Sequence, residues 1–208
     1  EPQIREQALG QIEAGLERAT HLVEQLLRLA RLDPLSNLPS PRHLDLGEVV
    51  REVVAGIGAN DRAAHKINVV LPNRALPAHG DAALLGIAIR NLVDNAIRYT
   101  PPGSMITVGA ACGTDGVSLW VSDNGPGVSP VDLPRLGERF FRGRDANTEG
   151  SGLGLAIVTR IANLHGGHLS CDNRTSGGFI ARMVLAEPPK TKLPAAISDN
   201  AAGIAPTK

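Results

Sequence analysis

Four short segments of the chain carry residue types that could bind phosphate, a metal ion and a planar ring. In chain order they are NLVDNAIRYT at 91–100, DNGPG at 123–127, ERFFR at 138–142 and GSGLGLA at 150–156. The last segment alternates three glycines immediately before an apolar helical pattern. Glycine lets backbone N–H groups approach a ligand closely, and a helix N-terminus favours negative charge. The segment therefore predicts an anion site, although a plain turn into a helix would have the same composition.

The segment at 91–100 places two amides on one face of a predicted helix. Asn91 and Asn95 are four residues apart, and Arg98 follows near the same face. Two amide oxygens and a cation that face one direction suit a hydrated Mg²⁺ carrying a phosphate chain. Such asparagines more often cap helices or face solvent. Here their neighbours are apolar, which indicates that the amides lie beside a buried surface.

The segment at 123–127 follows an apolar strand pattern. A carboxylate at Asp123 could accept a hydrogen bond from an exocyclic amine, and Gly125 and Gly127 would let a ring lie against the backbone. The alternative is an ordinary Asp-Asn-Gly turn.

The third segment interleaves arginines with two adjacent phenylalanines. Arg139, Arg142 and Arg144 surround Phe140 and Phe141. A mobile lid, anchored by the rings and offering guanidinium groups to phosphates, accounts for both residue types. A surface loop with incidental arginines is the alternative.

The flanking patterns predict the elements that position these segments. An apolar heptad seam over 3–32 predicts a long helix, and its members are Leu9, Ile12, Leu16, Ala19, Val23, Leu26 and Ala30. Asp33-Pro34 should end it, and a proline-marked linker follows at 33–42. Helices are predicted at 47–64, 81–99 and 153–164, with Asp81 as an N-cap. Strands are predicted at 43–46, 66–71, 76–79, 106–112, 117–122, 168–172 and 179–185. This order predicts an α/β fold in which helices cover one face of a mixed sheet.

Composition excludes several classes of protein. The 208 residues include 21 basic and 21 acidic side chains, so a generally basic nucleic-acid binder is not expected. Two cysteines cannot supply a disulfide scaffold, and no apolar run approaches the roughly 20 residues of a transmembrane helix. The chain lacks a P-loop motif, and the glycine-rich segment does not follow a strand as a Rossmann fingerprint would. A start at Glu1 without methionine suggests a piece of a longer protein.

The order and spacing of the four segments resemble the N, G1, F and G2 boxes of sensor histidine kinase catalytic domains, members of the GHKL ATPase superfamily. The resemblance covers residues 45–186, while residues 3–33 resemble the second helix of a dimerisation and histidine-phosphotransfer hairpin. RATHLVEQLLRLARLDP, NLVDNAIRYTPPGS, DNGPGVSP and GERFFRG resemble the QseC/PmrB-like branch of two-component systems. The resemblance implies a two-layer α/β sandwich of the Bergerat type over 43–186, a partial hairpin helix over 1–33 and a linker over 34–42. The Pro/Ala-rich composition of 187–208 predicts a disordered tail.

The resemblance also implies roles for site residues. ATP and Mg²⁺ are the expected ligands, with Asn95 on the metal and Tyr99 stacked on adenine. Asp123 would accept from the adenine amine, beside Gly125 and Gly127. Phosphate contacts would come from Asn91, Arg98, Arg139 and Arg142, and the lid ends and phosphates would be held by Gly150, Gly152, Leu153 and Gly154.

One departure from the family pattern concerns the phosphoacceptor. The family carries a histidine followed by an acidic residue and Thr-Pro, and no such sequence occurs here. His21 lies in Thr-His-Leu-Val on the second-helix pattern and is expected at the bundle surface. The other histidines, His43, His65, His79, His165 and His168, likewise lack that context.

The resemblance therefore implies a kinase core that transfers the γ-phosphoryl group of ATP to a histidine absent from this chain. A response regulator receiver domain, an upstream phosphoacceptor helix and a second copy of the full-length protein are the expected partners, without nucleic acid. The full-length protein would lie at the cytoplasmic side of a bacterial inner membrane. This fragment would be soluble, with membrane contact only through segments outside it. A GHKL ATPase, which needs an acidic residue where Asn91 stands, and a nucleotide-binding regulatory module without kinase activity are the alternatives.

Overall fold

The structure, a computed structural model, describes residues 15–16, 19–20, 22–114, 116–143 and 150–186. The helices are α1 (residues 22–32), α2 (Leu46–Ala55), α3 (Ala59–Ala64), α4 (Ala82–Tyr99) and α5 (Gly154–Leu164). The strands are β1 (Arg42–Asp45), β2 (Lys66–Val70), β3 (Pro77–Gly80), β4 (Met105–Gly113), β5 (Gly116–Asp123), β6 (His168–Asn173) and β7 (Phe179–Leu185). Within these described ranges, none of the helices is both long and apolar enough to cross a membrane.

The main sheet has five strands in the order β2-β4-β5-β7-β6. Strands β2 and β4 are parallel and the other neighbours are antiparallel, so the sheet is mixed, as predicted. Alternation along β5 sends Val117, Leu119 and Val121 into the core, where α2, α4 and α5 cover the sheet. On the opposite face, the Trp120 indole lies against Gly109 of β4. Helices therefore pack on one face.

Helix α4 begins as the sequence predicts. Asp81 is the N-cap, and its Oδ1 accepts hydrogen bonds from the backbone N–H groups of Ala83 at 3.0 Å and Leu84 at 3.1 Å. The predicted inward positions are buried, namely Leu84, Leu85, Ala88, Leu92 and Ala96. This packing fixes which face of α4 remains for the polar residues of the 91–100 segment.

The prediction of one helix over 47–64 is wrong. The structure has two helices, α2 and α3, separated at Gly56-Ile57-Gly58. Gly56 caps α2, with its N–H donating to carbonyls of the last turn, while Ile57 turns into the core at 5% exposure. Glycine has low helix propensity, so two glycines flanking a residue that must be buried end the helix. The predicted strand at 76–79 corresponds to β3, which pairs with β1 outside the main sheet.

Helix α1 lies against the α/β body through its last turns. Leu29 and Leu32 are buried at 4% and 5% exposure, and the helix ends before Asp33-Pro34, as predicted. The described members of the heptad seam include large exposed side chains, Leu16, Val23 and Leu26. His21, Arg144, the first part of the seam and the tail at 187–208 lie outside the described residues.

Candidate functional site

A cavity of about 630 Å³ lies between α4, the end of β5 and the glycine-rich segment before α5. Ten of the residues predicted for the site line it: Asn91, Asn95, Arg98, Tyr99, Asp123, Gly127, Arg142, Gly150, Gly152 and Gly154. The other three predicted residues, Gly125, Leu153 and Arg139, are described but do not line the wall. Four segments that are separate in sequence therefore converge on one cavity.

The two predicted amides face the start of α5. Asn91 is buried and its Nδ2 donates to the Ile87 carbonyl at 2.8 Å, which leaves Oδ1 directed away from that carbonyl. A Cβ added at Gly154 would lie 3.3 Å from Asn95 Oδ1 and 3.4 Å from Asn91 Oδ1. Neutral oxygens beside a helix N-terminus fit a hydrated Mg²⁺ that arrives with phosphate groups.

The glycines of the 150–156 segment are each confined by different neighbouring atoms. A Cβ at Gly150 would lie 3.1 Å from the Tyr99 hydroxyl and 3.2 Å from Arg98 Nη1. Gly152 has φ +68°, and a Cβ there would lie 2.7 Å from the backbone of Phe140. The segment is therefore confined between α4 and the 133–143 stretch, which we call the lid.

Leu153 is a core residue. Its side chain is fully buried, and its backbone N–H donates to Ser151 Oγ at 3.2 Å. A ligand could contact only its backbone, so the predicted cofactor-binding role of Leu153 cannot involve its side chain.

Asp123 is buried at the end of β5. Its Oδ1 accepts from the backbone N–H groups of Gly125 at 2.9 Å and Phe179 at 3.2 Å. Burial raises the pKa of the Asp123 carboxyl above its ordinary value, against the opposing effect of these hydrogen bonds and of Arg174. A Cβ at Gly125 would lie 2.7 Å from Thr100 Cγ2, so close packing against Thr100 requires glycine there.

The lid is built from local contacts between exposed side chains. The Arg135 guanidinium lies 4.1 Å from the centre of the Phe141 ring and pairs with Glu138 at 3.0 Å. Phe140 has φ 62° and is 60% exposed, while its N–H donates to the Gly152 carbonyl at 3.0 Å. The expectation that both rings anchor the lid is therefore wrong for Phe140, and the contact of Phe141 with Arg135 lies within the lid itself.

Arg139 does not line the cavity. Its Nη2 donates to Asp33 Oδ1 at 2.7 Å, at the end of α1. Nearby, Arg160 of α5 donates to the carbonyls of Leu32 at 3.1 Å and Asp33 at 3.0 Å, and also to that of Leu35. A guanidinium on these carbonyls complements the negative end of a helix.

Sequence reasoning missed several residues of this region. Gln25 of α1 lines the cavity and accepts a hydrogen bond from Ser151, and the buried Asp132 also lines it. Asn173 forms two hydrogen bonds with the backbone of Val128, in the loop after β5. No local spacing marks these residues, because their partners are distant in sequence. Asp132 is the exception, because aspartate is a common residue at the start of a turn, and it immediately precedes the short 3₁₀ helix Leu133–Arg135.

Comparison with known proteins gives the family context. Residues 80–190 match the family model described as histidine kinase-, DNA gyrase B-, and HSP90-like ATPase. Sensor protein QseC of Escherichia coli K12 is 42% identical over 184 residues, which are 88% of this chain and 40% of that protein. The sensor-like histidine kinase SenX3 of Mycobacterium tuberculosis H37Rv is 38% identical over 172 residues, 81% of this chain and 42% of that protein.

Solved structures give the same picture. The cytoplasmic segment of histidine kinase QseC has a TM-score of 0.57 at 33% identity and covers 83% of this chain and 95% of that one. The mycobacterial sensor histidine kinase MprB has a TM-score of 0.62 at 31% identity and covers 72% and 100%. The fold class predicted from sequence is confirmed by these matches. The chain spans about two-fifths of the length of the two sensor proteins it matches.

Proposed function

Because this chain belongs to the histidine kinase-, DNA gyrase B- and HSP90-like ATPase family, we propose that it is the ATP-binding catalytic core of a two-component sensor histidine kinase. It binds ATP with Mg²⁺ in the cavity between α4 and the lid. The carrying observation is the convergence of Asn91 and Asn95 with the N-terminus of α5 around Gly154. When bound, Mg²⁺ would neutralise phosphate charge there.

The reaction is phosphoryl transfer to a histidine of a phosphoacceptor helix. An imidazole nitrogen forms a bond to the γ-phosphorus while the bond from that phosphorus to the bridging oxygen breaks, and ADP leaves with that oxygen. The chain's own residues orient the phosphates: Arg98 and Arg142 supply positive charge, and the backbone of 150–154 supplies N–H groups. Asp123 accepts from the adenine amine and Tyr99 packs on the ring.

The same proposal assigns roles to the other parts of the chain and to the full-length protein. Helix α1 is the second helix of a dimerisation hairpin, and residues 43–186 form the catalytic domain. The phosphorylated histidine then supplies a response regulator, on the cytoplasmic side of the inner membrane. An ATPase of the same family is disfavoured because Asn91 carries an amide, which cannot act as a general base toward water.

Isothermal titration with ATP tests the nucleotide half. We expect the wild-type chain to bind ATP more tightly with Mg²⁺ than with EDTA. In Asn95→Ala the affinity for ATP in the presence of Mg²⁺ should fall by at least about tenfold, so that Mg²⁺ no longer strengthens binding. Asn163→Ala, an exposed asparagine on α5, is the matched control. A native chain without Mg-dependent ATP affinity would contradict the proposal.

Labelled ATP and an added purified phosphoacceptor hairpin test the transfer half. We expect acid-labile label on the hairpin, and none when its histidine is replaced. Release of free phosphate at the same rate without the hairpin would instead identify an ATPase.

A further inference from the structure

The loop after β5 is tied to the end of β6 by a side-chain amide. Asn173, the last residue of β6, donates from Nδ2 to the Val128 carbonyl at 2.6 Å. Its Oδ1 accepts from the Val128 N–H at 2.8 Å. One amide therefore bonds both polar backbone atoms of a single residue, as a neighbouring strand would. Val128 lies in the cavity wall.

The same amide determines the shape of the loop next to Val128. Gly127 has φ +77°, and a Cβ there would lie 2.8 Å from Asn173 Oδ1 and 3.4 Å from the Gly178 carbonyl. Glycine at 127 thus makes room for the Asn173 amide. The backbone of the loop and this amide form one packed unit, and Gly127 also lines the cavity.

The other end of the loop, at Asp123, is held by residues of the turn between β6 and β7, which follows Asn173, and by the first residue of β7. Arg174 Nη1 donates to the Asp123 carbonyl at 2.8 Å, and the Phe179 N–H donates to Asp123 Oδ1 at 3.2 Å. We call the segment 123–128, together with the turn at 173–178, the base end. Its two ends, Asp123 and Val128, are therefore both fixed from β6 and β7.

We propose that Asn173 is a positioning residue for recognition of the nucleotide base. This inference rests on the proposed function, in which Asp123 reads the adenine amine. Asn173 holds Val128 and Gly127 against the end of the sheet, so the wall beside Asp123 is ordered before the base arrives. A wall that must be ordered during binding lowers affinity, because its conformational freedom is lost at that step.

Nucleotide preference is the readout that separates positioning from general stability. The wild-type chain, Asn173→Ala and Asn173→Asp are titrated with Mg-ATP and Mg-GTP. Asn173→Asp has nearly the same shape but replaces the Nδ2 donor with an oxygen facing the Val128 carbonyl. Asn68→Ala, an exposed asparagine on the opposite edge strand β2, is the control. Thermal unfolding is recorded for every variant.

Asn173→Ala loses both hydrogen bonds to Val128, and Asn173→Asp loses one and places an oxygen against the Val128 carbonyl. We expect both variants to bind ATP about fivefold to tenfold more weakly and GTP within about twofold of wild type. The preference for ATP should fall accordingly, while Asn68→Ala keeps the wild-type values. An unchanged preference in Asn173→Ala overturns the inference, whether its affinities are unchanged or fall equally for both nucleotides. So does an Asn173→Asp variant indistinguishable from wild type, or a wild-type chain without base preference. A wild-type chain that binds neither nucleotide overturns the proposed function itself.

Discussion

The two ends of the cavity are built in opposite ways. The base end is held by backbone-directed hydrogen bonds from Asn173 and Arg174, and Asp123 is buried there. The lid contains a surface ion pair and a cation–π contact, it is joined to the rest of the molecule by a backbone hydrogen bond to Gly152 and an ion pair with α1, and Phe140 is largely exposed. The Asn173 hydrogen bonds are exposed, but they and the Arg174 hydrogen bond go to fixed backbone groups around the buried Asp123, which favours one arrangement. Exposed charge pairs, in contrast, contribute little and exchange easily. The molecule thus combines one end held by hydrogen bonds to the backbone, where we propose that the base binds, with another end held largely by exposed charges.

The ion pair between Asp33 and Arg139 illustrates the difference. Both side chains are more than one-third exposed, at 36% and 53%, so water and salt screen the pair. Arg160, in contrast, holds the end of α1 through backbone carbonyls. The contact that engages the lid arginine is therefore weaker than the contact that seats the helix.

Adding one methyl group to the base end should have the largest effect. Gly178 has φ +93°, and a Cβ there would lie 2.1 Å from the Asp123 carbonyl oxygen. We expect Gly178→Ala to lower the free energy of unfolding by about 2–5 kcal/mol, from left-handed strain plus overpacking. Gly177→Ala is the matched control, because its φ is +86° but its Cβ meets nothing within 4 Å. It should cost only about 1–2 kcal/mol. Equal losses in chemical denaturation would show that the base end is not tightly packed.

Acid should lower the free energy of unfolding through His165, the C-cap residue of α5. His165 Nδ1 donates to the Ile161 carbonyl at 2.8 Å, and Nε2 accepts from the Asp81 N–H at 3.1 Å, so the ring is neutral. Burial lowers the pKa of His165 below its ordinary value of 6.5. Above pH 6.5 its contribution to stability is complete. Below that pH the unfolded chain takes up the proton first, and stability is lost down to the lowered folded pKa.

Denaturant unfolding between pH 7.5 and pH 5 measures this loss. The exposed His168 offers a control. We expect His165→Gln to be less stable at pH 7.5 but to lose less on acidification than either wild type or His168→Gln. An identical pH slope in His165→Gln and wild type would exclude His165 as the responsible group.

Phe140→Gly should show that the lid tolerates change. The φ of 62° is uncommon for phenylalanine, and glycine adopts it without strain. Relief of strain and the greater entropy of glycine in the unfolded chain oppose each other. The free energy of unfolding should therefore change by less than about 1 kcal/mol. Phe141→Gly removes the ring under Arg135 and should cost more. A larger loss of unfolding free energy for Phe140→Gly than for Phe141→Gly would show that Phe140 stabilises the lid more than Phe141 does.

Asp33→Asn should have the smallest effect on stability. The pair with Arg139 is exposed, so its loss should cost about 0.2–1 kcal/mol, and less at high salt. With Arg139 released toward the cavity, affinity for Mg-ATP should rise by up to about fivefold. Calorimetry at low and high salt measures both quantities. A fall in ATP affinity would show that Asp33 supports the lid rather than competing with phosphate.

Much of this arrangement could be predicted because local chemistry decides it. Helix α4 with its Asp81 cap, the β4–β5 and β6–β7 hairpins and the amide pair on α4 all follow from spacings within one element. The single helix over 47–64 was wrong because its apolar period continues across Gly56 and Gly58, where burial of Ile57 ends α2 instead. The motif also does not say which of its side chains enter the core, as the buried side chain of Leu153 shows.

By itself, the sequence determined the elements and the polar residues each presents, since helix and strand periods and turn residues act over a few positions. Only the tertiary structure decided which distant groups meet. Asn173 and Val128 are 45 residues apart, and Asp33 and Arg139 are 106 apart. Such pairs depend on strand order and helix packing, which burial of the whole core selects. The order of β7 and β6 beside β5 brings the turn at 173–178 onto the loop after Asp123.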